Sequence, residues 1–586
     1  ELGFTANKVL ETRTVDENGI LTEIFTDTFG NKIGVRVDSA AATADSTKLA
    51  TLFQYDIANN LTKIVPPKAF QTNGNNPILD SPLCTIMTYN TLGQLTSRKT
   101  PDAGTDSSYY DKKGNLRFVK DAKGVAGNYF IYSKYDHLNR TIEEGTMPVG
   151  SPTKFKQSKA DSAAFPIGGH TPKVKFQYDS TTYAANGVQR NLRGRLDAIE
   201  YVDDRWLPTV VKGYIFYSYD DNGNVEWINQ YIPTGSSSHL ATRTDYQYDA
   251  LGKITKIYFR RVFPPGASTD AFYVWYDYDA LGRLERVFTN TTDVKPFTPI
   301  NAQYSYWPSG QVKRLALGSN VQGVDYLYNS RDWLTQINHH ALLKGKDPGN
   351  DSTNTTGMQV DRFGEIIGYN KQKYIANDGD YSGDFDDQFN GNISWLTLNT
   401  NWPAANPDTA TGFVFKYDKA NRLTKGNWGN LAGTNWLATN RYDLTGITYD
   451  RNGNLKAMTR RSQSGSSTNM SYFYPTTSNK LDSISGLTGA GGPYTYDNNG
   501  NMIKDARKLG GSNTITYDYR NLPVQVPVGT SPINYINFGY DGIGQRVSKN
   551  NLFYVPGADG RVIAVYDDKG THLYWNIWGL DLLGQR

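Results

Sequence analysis

At 586 residues the chain is longer than one compact core usually supports, so it is either several domains or a repeat array. Hydrophobic residues make up 38% and mean hydropathy is −0.58, and no apolar run approaches the ~18 residues of a membrane span. A net charge of +4 without a dense Lys/Arg run argues against nucleic acid as a partner, and the single cysteine, Cys84, excludes an intrachain disulfide.

One unit recurs from end to end: a strand-prone stretch, Tyr-Asp or a close variant, a Gly/Asn turn, and a returning strand. It begins with FTDTFGNKIGV (Phe25 to Val35) and QYDIANNLTKIV (Gln54 to Val65). It continues through YNTLGQLTSR (Tyr89 to Arg98), Tyr110-Asp111, Tyr135-Asp136, Tyr178-Asp179, Tyr219-Asp220, Tyr248-Asp249 and Tyr278-Asp279. Degenerate copies follow at YWPSGQVKRLAL (Tyr306 to Leu317) and YNSRDWLTQI (Tyr328 to Ile337). The series resumes at Phe389-Asn390, Tyr417-Asp418, Tyr449-Asp450, Tyr496-Asp497, Tyr517-Asp518, Tyr540-Asp541 and Tyr566-Asp567. Spacings of about 20 to 45 residues fall in the range of repeat proteins.

The local chemistry is that of a β-hairpin. Residues before each Tyr are strand-prone, as in GYIFYSYD (Gly213 to Asp220). The Asp carboxylate caps the turn by accepting backbone N–H groups one or two residues on, and Gly supplies the positive φ. The returning strand alternates: in GRLERVF, Leu284, Arg286 and Phe288 share one face and Arg283, Glu285 and Val287 the other. A lone hairpin cannot bury its own face, so the hairpins are expected to join one long antiparallel sheet, an all-β fold over residues 1–586. Three polar insertions, about 145–172, 343–369 and 377–410, are expected to be loops in that sheet.

Few residues point to chemistry. The run Asp378 to Asp386 sets oxygen ligands at Asp378, Asp380, Ser382, Asp384 and Asp386, with Gly383 sixth, like the opening of a calcium loop. Phe389 stands twelfth, where a bidentate Glu is expected, and the competing reading is a solvated acidic loop. Calorimetry decides between them, since an absence of heat at millimolar calcium ends the calcium reading. No other cofactor is expected. The adjacent pair His339-His340 should point to opposite faces of a strand, and Cys84 should be a buried small residue. Trp395, Trp402, Trp428 and Trp436 cluster in one region and either stack on glycans or fill the sheet, with filling the commoner use.

Several longer phrases carry a family resemblance: FTDTFGNKIG, YNTLGQLTSRKTPDAG with YYDKKGNLRFVKD, YNSRDWLTQIN, and the closing HLYWNIWGLDLLGQR. With the ordered Tyr-Asp units, they resemble the Rhs/YD-repeat family in its bacterial, Bacteroidetes-type form, over about residues 20 to 586. The resemblance implies a β-sheet that spirals into a hollow shell, as in Rhs effectors and toxin-complex cocoons, where it encloses a C-terminal toxin. Related shells in teneurins serve adhesion. Many members end the shell in a self-cleaving D-P-x-G-L motif; here the one Asp-Pro, Asp347-Pro348, lacks that Leu and precedes further repeats.

The expected function is therefore a non-enzymatic encapsulation shell of a secreted polymorphic toxin, exported from a Gram-negative cell and forming part of a longer protein. Expected partners are its own C-terminal cargo or toxin domain, or a secretion-system component. The alternative is a surface adhesin that binds glycans. The expected structural residues are the repeat pairs Tyr110-Asp111, Tyr219-Asp220, Tyr248-Asp249, Tyr278-Asp279, Tyr417-Asp418, Tyr449-Asp450, Tyr496-Asp497, Tyr517-Asp518 and Tyr540-Asp541.

Overall fold

The structure, a computed structural model, describes residues 8–38, 48–70, 76–150, 157–180, 188–206, 209–263, 270–319, 321–342, 346–350, 360–371, 383–400, 410–432, 435–487, 493–505, 514–529 and 534–586. These residues are almost entirely β. Strands adjacent in sequence pair antiparallel, as in the run Lys212–Tyr219, Val225–Pro233, His239–Tyr248 and Ile254–Phe263. A ribbon of 32 strands built this way runs from Val9–Val15 to Ser483–Ser485. A two-stranded hairpin (Tyr494–Tyr496 and Met502–Asp505) follows, and then eight strands from Thr516–Tyr517 to Leu582–Gln585. The helices Ala122–Gly127 and Gln157–Ala160 are short.

The Tyr-Asp turns share one build, apart from that at Asp179, whose N–H reaches the Arg195 carbonyl across a longer excursion. In the turn at Asp279, the Gly282 N–H donates to the Asp279 carbonyl, and the Asp279 N–H donates to the carbonyl of Arg283. The strand register slips by one between Asp277 and Tyr278, a bulge that recurs at the other Tyr-Asp turns. Gly282 sits at φ 76°, in the left-handed region. Where the turn lacks Gly, the position goes to Asn, the side chain that best tolerates this backbone: Asn139 (φ 63°), Asn421 (φ 59°) and Asn521 (φ 64°).

The ribbon winds over itself. Its first winding carries Tyr-Asp turns on one edge and other connections on the opposite edge. Turns of the second winding, Tyr-Asp turns among them, seat on that opposite edge. Asn18 meets Gln388 and Phe389, Lys68 meets Asn452, Asp102 meets Asn479, and Lys123 meets Asn499. Further on, Gln230 meets Pro556, Tyr246 meets Ala558, Arg261 meets Gly570 and Tyr304 meets Leu580. Both members of each pair rise together along the chain. A ribbon folding back on itself would pair them in opposite order, so this ribbon spirals.

Toward its end the second winding lies face-on against the first. Phe259, Phe272, Val287 and Tyr304 of the first share one buried cluster with Phe553, Ala564, Tyr566 and Trp575 of the second. The Phe272 and Trp575 rings stack 4.9 Å apart. This covering blurs the alternation expected from sequence: Val287 and Phe288, on opposite faces of one strand, are both buried.

The three insertions are not wholly loops. Gly145 lies inside the strand Thr141–Pro148, Phe363–Gly368 falls within 343–369, and Trp395–Thr400 falls within 377–410. Flanking Gly, Asn and Asp masked these short strands, which are stabilised by pairing and not by composition. His339 and His340 follow the strand Leu334–Ile337 and are not part of it. With no strand backbone to separate them, their rings meet at 4.7 Å, and both are buried.

Candidate functional site: rivets within the wall and a seam between windings

The repeated Tyr joins hairpins. In all nine pairs named above, the Tyr hydroxyl donates to a backbone carbonyl at the start of the preceding hairpin's returning strand. Tyr110 reaches Leu95, Tyr219 reaches Leu196, Tyr248 reaches Val225 and Tyr278 reaches Ile254, at 2.7–3.0 Å. Tyr417 reaches Ile393, Tyr449 reaches Leu423, Tyr496 reaches Leu481, Tyr517 reaches Met502 and Tyr540 reaches Pro523, at 2.7–2.9 Å. Burial pushes the Tyr219 and Tyr248 hydroxyls up to about 12, so they remain donors at any physiological pH.

The repeated Asp holds its own turn. Its Oδ1 accepts backbone N–H groups two and four residues on, a longer reach than the one or two expected. Asp111 takes Lys113 and Asn115, Asp220 takes Asn222 and Asn224, and Asp249 takes Leu251 and Lys253. Asp279 takes Leu281 and Arg283, Asp418 takes Ala420 and Arg422, and Asp450 takes Asn452 and Asn454. Asp497 takes Asn499 and Asn501, Asp518 takes Arg520 and Leu522, and Asp541 takes Ile543 and Gln545. The Arg283 backbone N–H, aided by its guanidinium, holds the Asp279 carboxyl below its usual range against slight desolvation.

A second rivet was not anticipated. The residue just after the turn Gly or Asn reaches forward to the next hairpin. Asn115 donates to Asn139 at 3.1 Å, Lys253 to the Gly282 carbonyl at 2.9 Å, Arg422 to the Asp450 carbonyl at 3.2 Å and Asn501 to Asn521 at 2.8 Å. The Arg283 and Arg422 guanidiniums also lie over the next Tyr rings, Tyr306 and Tyr449, at 4.4 and 4.7 Å. The clue in the sequence was the long polar residue at this position in copy after copy: Asn, Arg, Lys or Gln. Junctions of this kind carry a backward Tyr bond and a forward polar bond; at the Asp518 turn, where Leu522 follows Asn521, Arg520 supplies the forward bond to the Asp541 carbonyl instead.

The seam uses the third residue of the turn. Asn452 Oδ1 accepts from the Lys68 backbone N–H at 2.8 Å, while the Lys68 ammonium pairs with Asp450 at 3.1 Å. Asn499 Oδ1 accepts from the Lys123 N–H at 2.7 Å, and its Nδ2 donates to Asp121 Oδ2 at 2.6 Å. Asp121 also caps the helix Ala122–Gly127 through the Gly124 N–H, so the seam and a helix start share one carboxylate. In the first winding the same turn position holds exposed Phe29, Leu92, Leu251 and Leu281. The two seam turns at Asp450 and Asp497 thus carry Asn where these four bare-edge turns carry a large apolar residue, although Lys113 and Asn222 keep the position polar in two other first-winding turns. Near the chain end the windings enclose an open pocket of about 710 Å³, with Ile254, Tyr278, Leu284, Tyr306 and Trp578 in its wall.

Of the calcium-loop residues, Asp378, Asp380 and Ser382 lie outside the described residues. Asp384 is held between the ammonium groups of Lys416 and Lys425, which keep its carboxyl below the usual range. The Asp386 carbonyl accepts from the Ser394 hydroxyl at 2.7 Å. Trp395 is buried, and its indole N–H donates to the Asn370 carbonyl at 3.0 Å. Trp428 packs edge-on against Phe413 and Tyr442, and Trp436 packs on the cluster around Trp395. These three tryptophans fill the wall; Trp402 lies outside the described residues. Cys84 is buried, and burial raises its thiol.

No protein-family profile matches the chain, and no curated protein matches it. Solved structures do match its fold. A TcdB2-TccC3-TEV crystal structure aligns with a TM-score of 0.63 and 14% identity over 97% of this chain. A TcdB2-TccC3 crystal structure gives 0.62 and 14% over 96%, and a Photorhabdus luminescens Tc holotoxin pore gives 0.61 and 14% over 97%. The chain spans 28–29% of the length of those chains. What the chain shares with these structures is the fold, a long antiparallel β-ribbon.

Proposed function

We propose that this chain is a wall of an encapsulating shell that encloses a polypeptide cargo within a secreted toxin. The observation that carries the reading is the seam, whose contacts keep the same order along both windings, as a wrapping wall requires. The fold shared with TcdB2-TccC3 and with a Tc holotoxin pore supports it. The repeated Tyr and turn-end residues bond to neighbouring hairpins and the repeated Asp holds its own turn, so all three build wall. The shell works by exclusion: doubly riveted hairpins keep the cargo from proteases and from the producing cell. Its partner is a cargo or toxin domain joined C-terminally, or a secretion-system component, and its place is outside the producing cell. Calcium at the 378–386 loop is a separate proposal, carried by sequence spacing and tested by the calorimetry above.

The test fuses an unstructured reporter polypeptide after Arg586 and images the particle by electron microscopy. A hollow particle with internal density, and a reporter that survives protease until the wall is denatured, is the expected result. A solid rod, separate globules or a reporter digested at the rate of the free peptide overturns the reading.

A further inference from the structure

Asp541 stands apart from the other Tyr-Asp aspartates. Its turn belongs to the second winding and sits on the face of the first: a Cβ on Gly542 would lie 2.4 Å from Ile199 Cγ2 and 3.1 Å from Val174 Cγ1. Asp541 itself is 2% exposed. Oδ1 is occupied by the Ile543 and Gln545 N–H groups at 3.0 and 2.8 Å, whereas Oδ2 is buried without a hydrogen-bond partner. A buried carboxylate oxygen with no donor costs far more when charged than when protonated.

The surrounding groups do not neutralise it. From the preceding hairpin, Arg520 gives its Nη1 to the Asp541 carbonyl at 2.9 Å and its Nε to Asp518 at 3.0 Å. From the first winding, Tyr201 and Tyr217 face the carboxylate, and both are pushed up chiefly by burial and also by its charge. Arg205, which lies beside Gly539, is paired with Asp203, and Lys173, next to Val174, is paired with Asp204. Two further carboxyls of the first winding that feel Arg520, Glu144 and Asp204, are raised by burial. Burial raises Asp541 to about 6, against its N–H bonds and Arg520, whereas bonds hold Asp279 in the same kind of turn low.

We infer that the Asp541 turn is a proton-operated latch on the seam: with Oδ2 protonated the turn stays seated on the first winding, and with it ionised the seat loosens. The sign follows from linkage. The seated state holds the proton more tightly than the released state, so seating strengthens as pH falls through the seated pKa. Such a shell is tightest in an acidic compartment and loosens near neutrality.

Asp541→Asn gives the neutral form at every pH. Asn is a working residue at this turn position, since Asn90 accepts from Leu92 and Gln94, and Asn329 from Arg331 and Trp333, in the same pattern. The readout is amide exchange, corrected for its intrinsic pH dependence, in peptides covering 196–203 and 538–546 of the full chain. Between about pH 7.5 and about pH 5, wild-type opening is expected to fall about tenfold. Asp541→Asn is expected to show acid-level protection at both pH values, while Asp279→Asn keeps the wild-type response. The latch is overturned if Asp541→Asn retains the wild-type pH response, or if wild-type protection is flat or weakens toward acid. The readout concerns the seam alone and is indifferent to what the shell encloses.

Discussion

Replacing Arg117 with Met is expected to free the segment 157–165 from the wall at a cost of about 3–5 kcal/mol. Arg117 is 2% exposed, and backbone carbonyls take its guanidinium: Ser133 on Nε at 2.7 Å, Ala160 and Ser162 on Nη1 at 2.7 and 3.2 Å, and Phe165 on Nη2 at 2.6 Å. Its cation draws the short helix Gln157–Ala160 and Phe165 onto the buried cluster of Phe118, Phe130 and Met147. Met fills similar volume but leaves those carbonyls buried and unpaired. Arg117→Lys is expected to recover little, because a single ammonium cannot span carbonyls held by all three guanidinium nitrogens. Limited proteolysis within 157–165 measures the effect, and wild-type resistance in Arg117→Met would show that the clasp is dispensable.

The second large effect is at the seam. Asn499→Ala removes the acceptor of the Lys123 N–H and the donor to Asp121, and it leaves both groups in a part-buried junction. Seam opening is expected to become easier by about 2–3 kcal/mol. The hairpin itself should survive, because the Asp497 bond to the residue-499 N–H uses backbone and is untouched. Leu251→Ala, at the same turn position on the bare edge, serves as the control, and its effect should stay near zero. Amide exchange in the 119–128 segment reports the difference; equal protection in the two variants would refute the seam role of Asn499.

Local chemistry was legible and long-range closure was not. Tyr-Asp followed by Gly or Asn names a turn, a bulge and two strands, because all the forces involved act within a few residues. The Tyr hydroxyl's partner was out of reach, since a carbonyl offers no side-chain signal, and the bond the Tyr makes between hairpins stayed hidden. The forward rivet was visible as a recurring polar residue without an assigned role. The seam left no consistent trace: Asn stands at 452 and 499 where several early turns have Leu, but Asn also stands at 222 in an early turn. Arg117 looked like any strand Arg in NLRFV. Its burial depends on an insertion that folds back more than 40 residues later, with bonds spanning 43 to 48 positions.

The ordered seam also sets a timetable for synthesis. The Tyr rivets join residues 15 to 26 positions apart, so each hairpin can lock to its predecessor soon after both leave the ribosome. The seam bonds join residues 276 to 395 positions apart, and their loop-closure entropy is met only once the second winding exists. The nascent chain therefore matures as an open, locally complete strip that rolls up late and in one direction, starting where Asn18 waits for Gln388. A passenger translated after the strip would emerge as the roll is closing.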